Sequence, residues 1–124
     1  MNDIFISCEK DSFAPGELIR AQVSWNCSKT PSNIIIKLEW RTEGRGTSDK
    51  GSVFEEKILC SRQEGQSSFD IKIPDDCPPS YSGKLVSLLW EIKARADISW
   101  KKDPKTVYPI VISKLGHAYR PPES

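Results

Sequence analysis

Every even-numbered residue from Val86 to Ile98 is apolar: Val86, Leu88, Trp90, Ile92, Ala94, Ala96 and Ile98. The odd positions from Leu85 to Asp97 bring in Ser87, Glu91, Lys93 and Arg95. A helix would scatter the even set around its circumference, whereas a strand puts all of it on one face. The pattern therefore predicts a strand over 85–98. At about 3.3 Å per residue such a strand runs roughly 46 Å, more than a small domain normally holds straight. A bend or bulge is expected inside it, near Ala94 and Ala96.

The same alternation recurs in 19–27, with Ile19, Ala21, Val23, Trp25 and Cys27 on one side, and in 34–41, with Ile34, Ile36, Leu38 and Trp40. A shorter run at 69–73 alternates Phe69, Ile71 and Ile73 with Asp70 and Lys72, and weaker strands are predicted at 3–9, 53–60 and 106–113. Pro109 argues for an edge or a bulge in the last of these. Ala14-Pro15-Gly16, Thr30-Pro31-Ser32, the loop TEGRGTSDKGS, Glu64-Gly65 and Asp75 to Gly83 supply turn chemistry between the runs. About seven strands, half polar and half apolar, with no amphipathic helix, predict an all-β, immunoglobulin-like β-sandwich in two antiparallel sheets. Trp25, Trp40, Trp90 and Phe69 fall on the inward sides, suited to the roughly 10 Å between packed sheets.

Several blocks resemble the arrestin family. Phe13-Ala14-Pro15-Gly16-Glu17-Leu18-Ile19, followed by Val23 and Trp25, is similar to its early "PGE" turn and second strand. Phe69-Asp70-Ile71-Lys72-Ile73-Pro74, then Cys77-Pro78-Pro79-Ser80-Tyr81-Ser82-Gly83, then Leu88 to Ala94, resembles its strand, "P-P-S-y-x-G" turn and long strand. Tyr108-Pro109-Ile110-Val111-Ile112 resembles its closing strand. The resemblance spans most of 4–113 and implies a sandwich like the arrestin N-terminal domain. Arrestins carry two such sandwiches and this chain has room for one. The two-domain clamp on a phosphorylated receptor is therefore not carried over. Residues 1–115 are read as a single arrestin-like β-sandwich domain and 116–124, GHAYRPPES, as a disordered tail.

Length and composition agree with one folded domain: 124 residues, 37% hydrophobic and 28% charged. A formal net charge of +1 gives no bulk argument for nucleic acid. No apolar run reaches the ~18 residues of a membrane helix, and the opening MNDIFISCEKD lacks a secretory layout. A soluble, cytoplasmic protein is the expectation. Cys8, Cys27, Cys60 and Cys77 are spaced 19, 33 and 17 apart with no C-x-x-C pair, which argues for separate thiols and no metal. A Cys8–Cys27 disulfide is one pairing the count allows. The sequon Asn26-Cys27-Ser28 is expected to stay unmodified.

Catalysis finds no constellation to work with. The single histidine, His117, lies in the tail, and no phosphate-cradling glycine loop occurs. Glu55-Glu56 and Asp75-Asp76 are sequence neighbours, which a strand points to opposite faces. The expectation is a non-enzyme without cofactor: a protein-interaction module, adaptor or scaffold, binding a protein partner through an edge strand or loops. The alternative is a structural subunit, a homo-oligomer assembling through sheet edges. Candidate partner-binding residues are Lys93, Arg95, Trp100, Lys101, Lys102 and Lys105, because residues 93–105 carry a local net charge of +3 able to receive an acidic or phosphorylated peptide.

Overall fold

The computed structural model describes residues 3–44, 49–76, 81–82, 86–98 and 103–112. Nine strands occur among them: β1 (Asp3–Cys8), β2 (Ser12–Phe13), β3 (Leu18–Asn26), β4 (Asn33–Gly44), β5 (Lys50–Leu59), β6 (Glu64–Lys72), β7 (Tyr81–Ser82), β8 (Val86–Asp97) and β9 (Lys105–Ile112). They form a three-stranded sheet, β1-β3-β6, and a six-stranded sheet, β2-β9-β8-β4-β5, with β7 paired to β8. The protein is an all-β sandwich, as the alternation predicts. The seven expected strands are all present, and the two extra ones, β2 and β7, are two-residue pairings too short to show a period. The sheets are not purely antiparallel, because β2 runs parallel to β9 at Ser12↔Val111 and Phe13↔Ile112.

The inward faces supply one core. Ile19, Ala21, Val23 and Trp25 from β3 meet Ile34, Ile36 and Leu38 from β4, Trp90, Ile92, Ala94 and Ala96 from β8, and Phe69 and Ile71 from β6. Side chains of opposite sheets interdigitate there, and burial of this apolar surface is the main force holding the layers together. The alternation of β8 holds without interruption: its register against β4 runs unbroken from Asn33↔Asp97 to Gly44↔Val86. The bulge expected near Ala94 and Ala96 is absent. β8 stays regular because full-length ladders on β4 and, beyond Trp90, on β9 fix it from both sides.

The irregularity lies instead in β5. Leu38 pairs with Phe54 and Glu39 with Ser52, which leaves Val53 as an extra residue opposite no partner. Two tryptophans mark further departures from the sequence reading. Gly65 and Gly51, read as turn signals, sit inside β6 and β5 directly across from Trp25 and Trp40. Each glycine makes room for the ring of its partner: a Cβ at either position would lie 2.7 Å from an indole atom. The Trp25 Nε1–H donates to the Arg62 carbonyl at 3.2 Å, fixing the ring in that place.

Pro109 stands at an edge, as expected. The Val111 N–H points outward and donates to the Asp11 carbonyl at 2.8 Å, so the nitrogen of Pro109, two residues earlier, also faces away from β8. No ladder bond is lost. The "PGE" block is a turn of type II form, with Pro15 ahead of Gly16 at φ 83° and the Glu17 N–H donating to the Ala14 carbonyl at 3.1 Å. Glu17 also accepts from the Ala14 N–H at 2.8 Å and from Lys10, while its carbonyl accepts from the Ile73 N–H at 3.0 Å. That motif is structural.

Cys8, Cys27 and Cys60 are free thiols. Cys8 pairs with Ala21 and Asn26 with Asp3, so Cys8 and Cys27 sit at opposite ends of the β1–β3 ladder. Six residues of strand separate those ends by about 20 Å, and the Cys8–Cys27 disulfide is ruled out. Cys77, His117 and the tail over 116–124 lie outside the described residues.

Candidate functional site: the outer face of the large sheet

The odd-numbered residues of β4, β8 and β9 point away from the core and share one face. Lys37 lies opposite Lys93, Glu39 opposite Glu91, Ile35 opposite Arg95, and Arg95 in turn opposite Lys105. Like charges placed directly across a ladder repel, and the side chains find opposite charges elsewhere. Diagonally across β4–β8, Lys93 Nζ lies 2.9 Å from Glu39 and Arg41 Nε lies 3.3 Å from Glu91; along β8, Lys93 Nζ lies 3.7 Å from Glu91; and directly across β4–β5, Lys37 lies 3.6 Å from Glu55. The Lys93 ammonium is held above its ordinary pKa, first by its hydrogen bond to Glu39 and then by the charges of Glu39 and Glu91, against the opposing effect of burial.

The pairs built on Glu39, Glu91 and Asp103 are layered, whereas Glu55 is more exposed than its partner Lys37. The side chains of Arg41, Lys93 and Arg95 are 39–40% exposed, while Glu39, Glu91 and Asp103 beneath them are 11–19% exposed. Solvent meets the cations. Glu91, one of the odd, polar positions of the strand read over 85–98, is buried against the sheet. Its carboxylate is consumed by Arg41 and Lys93, an arrangement that period-two reading cannot distinguish from simple exposure.

Arg95 has a second task. Its guanidinium donates to Asp103 Oδ2 at 2.5 Å, and Asp103 Oδ1 accepts from the Ile98 N–H at 3.1 Å. The Ala96 N–H donates to the Pro104 carbonyl at 3.1 Å. Asp103 therefore ties both ends of the β8–β9 connection together. Burial works to raise its carboxyl pKa, but the hydrogen bonds from Ile98 and Arg95, with the charges of Arg95 and Lys105, outweigh burial and hold it below the ordinary aspartate value.

The structure thus brings Lys93, Arg95 and Lys105 together, and they line one open depression of about 280 Å³ with Lys37, Lys50 and Glu39. Trp100, Lys101 and Lys102 lie outside the described residues. Sequence reasoning missed Lys37 and Lys50. Lys37 was legible as an outward residue of the 34–41 strand, but Lys50 was not, since its direction depends on the bulge. Ahead of Val53 the outward residues of β5 are even-numbered (Lys50, Ser52), and after it they are odd-numbered (Glu55, Lys57). The extra residue turns Lys50 onto the same face as Lys93.

Among the described residues no group of three or more His, Cys, Asp or Glu side chains comes together as a metal site, and no helix is long and apolar enough to cross a membrane. The fold and this face define a β-sandwich with a charged outer sheet surface. No protein-family model and no curated protein sequence matches the chain. Solved structures do. The sporulation control protein Spo0M from Bacillus subtilis superposes with a TM-score of 0.73 at 19% identity, over 90% of this chain and 49% of that one. A beta-glucosidase from Listeria innocua, in complex with gluconolactone, gives a TM-score of 0.50 at 12% identity, over 90% of this chain but 16% of the enzyme. Both likenesses are of fold. The chain spans about half the length of the Spo0M chain.

Proposed function

We propose that the chain is a non-catalytic interaction module of arrestin-like type that binds a protein partner through the outer face of its large sheet and the adjoining β8–β9 connection. The observation that carries this reading is the depression in which Lys93, Arg95 and Lys105, from two strands, converge with Lys37 and Lys50 from two more. The five basic groups face one lining carboxylate, Glu39. The sheet ladders fix the backbone spacing of these residues, and Lys93 and Arg95 are already held by ion pairs, which limits the ordering cost of binding to the remaining side chains. The likeness to the sandwich of a sporulation control protein supports a regulatory role of this kind. The free thiols among the described residues, Cys8, Cys27 and Cys60, support a reducing, cytoplasmic setting. Crosslinking in extract of the source cells tests the reading: crosslinks to one partner should concentrate on Lys37, Lys50, Lys93 and Lys105. A chain that captures no partner across repeated conditions, or one whose crosslinks avoid this face, refutes it.

A second reading, self-assembly through sheet edges, draws on different residues. Phe5 on β1 and Val53 and Leu59 on β5 are exposed, and both strands are sheet edges. Light scattering across a concentration series decides it, since a strict monomer eliminates this reading.

A further inference from the structure

We infer that the depression on the large sheet takes an extended peptide segment rich in Asp or Glu, lying across the strands instead of adding to the β9 edge; this rests on the partner-binding reading above. Three independent features of the fold converge on it. The carboxylates nearest the depression are engaged at the lower level, Glu39 and Glu91 under Lys93, Asp103 under Arg95; the exposed Glu43 and Glu55 are paired with Arg41 and Lys37 and do not line it, so the depression itself is cationic. Lys50 and Lys105 have no ion-pair partner among the described residues, and both line the depression. The Val53 bulge is what places Lys50 there; were Val53 paired in regular register opposite Glu39, Lys50 would fall opposite Thr42 and point to the core side of β5. A local distortion that adds a fifth cation to one surface is explained by an anionic occupant.

The floor fits a peptide better than an isolated anion. Ile35 is 7% exposed and Val107 is 47% exposed, and both line the same depression. An occupant with apolar atoms between its carboxylates would cover Val107 while its acids meet Lys50 and Lys105. The edge alternative is weak. On the outer side of β9, Pro109 offers no N–H and the Val111 N–H is already held by Asp11, which leaves only Lys105 and Val107 as donors to an added strand.

The test uses the full chain and a short synthetic peptide alternating Glu with Thr, a Lys-for-Glu version of it, and inorganic phosphate. Fluorescence anisotropy gives affinity and amide NMR shifts give the location. The acidic peptide should bind, the basic one should not, and the shifts should centre on Ile35, Lys93 and Lys105 to Val107. Affinity should fall about tenfold in the Lys50→Glu/Lys105→Glu double variant, whose residues are in no ion pair that folding needs, and should fall steeply with added salt. Equal affinity in the double variant, or shifts on another face, overturns the inference. Phosphate binding as tightly as the peptide reduces the depression to a small-anion site and overturns it as well. Failure of the peptide alongside partner crosslinks on this face removes the acidic-segment inference and leaves the interaction module standing; absence of both removes both.

Discussion

Replacing Gly65 by alanine should destabilise the protein even though its backbone lies in an ordinary strand conformation. A Cβ there would meet Trp25 Cζ2 at 2.7 Å, Cη2 at 3.1 Å and Cε2 at 3.2 Å. The backbone across the ladder is held by register on both sides, so the ring must move. Its Nε1–H is bonded to the Arg62 carbonyl at 3.2 Å, and Trp25 is packed into the core. Overpacking of this kind costs about 1–3 kcal/mol, and loss of the indole hydrogen bond adds ~1 kcal/mol. Alanine returns about 0.4–1 kcal/mol by restricting the unfolded chain. The net expectation is a loss of about 1–3 kcal/mol, a sizeable part of the ~5–15 kcal/mol by which a domain is stable. Urea unfolding followed by far-ultraviolet circular dichroism measures it without relying on tryptophan fluorescence. Trp25→Phe removes the outer ring atoms that the new methyl group would strike. In that background, Gly65→Ala should cost no more than about 0.5 kcal/mol. Should Gly65→Ala prove neutral, or should its cost be unchanged when combined with Trp25→Phe, the ring-over-glycine account is wrong.

Gly16→Ala should cost about 1–2 kcal/mol in thermal unfolding, because φ is +83° and a Cβ would collide with Asp75 Oδ1. Asp103 and Glu17 are both held below their ordinary values of 3.8 and 4.5, so the unfolded chain binds protons there first. Stability from these groups is fully present above the ordinary values and is lost as pH falls through the lowered ones; Asp103→Asn should flatten that acid limb in pH-dependent unfolding. Lys93→Met, which strips the cation from Glu39 and Glu91, should lose about 1–3 kcal/mol, whereas Lys105→Met should stay within ~0.5 kcal/mol. Equal effects of the two in denaturant titration would contradict the layered arrangement of the face.

The strands were legible wherever a single face is buried over many residues. Val23 and Trp25 on β3, Ile34 and Ile36 on β4, and Trp90 and Ile92 on β8 announce their direction because burial on one side leaves a period of two in the residue types. The same rule placed Lys93 and Arg95 on one outward face, whereas Lys105, just ahead of the strand expected at 106–113, was picked out only by the local charge of 93–105. It failed where direction depends on a partner strand. Gly51 and Gly65 look like turns because glycine is a turn residue in isolation, and only the cross-strand tryptophan gives them a place inside a ladder. Val53 carries no mark that it is the extra residue of a bulge, so the site's Lys50 was hidden with it. Glu91 and Lys93 are two positions apart and equally charged in magnitude, yet one is buried and the other exposed. Which member of an ion pair lies underneath is settled by the neighbouring side chains of β4, not by the run of residues along β8.

The pairing of β4 with β8 also has a bearing on how the chain is made. Asn33 meets Asp97, 64 positions later, so the central ladder of the large sheet cannot close until almost the whole domain has emerged. From Leu59, the end of β5, to Asp97 is 38 positions, which at ~5–20 residues per second lasts roughly 2–8 s. Through it, β4 and β5 can form a hairpin whose inner edge carries Ile34, Ile35 and Ile36 with no strand beside it. An apolar, β-branched edge left open is the kind that pairs with a neighbouring chain. The nascent polypeptide is therefore most vulnerable to misassociation in the window between synthesis of its fifth and eighth strands, and β8 acts, on arrival, as the element that seals it.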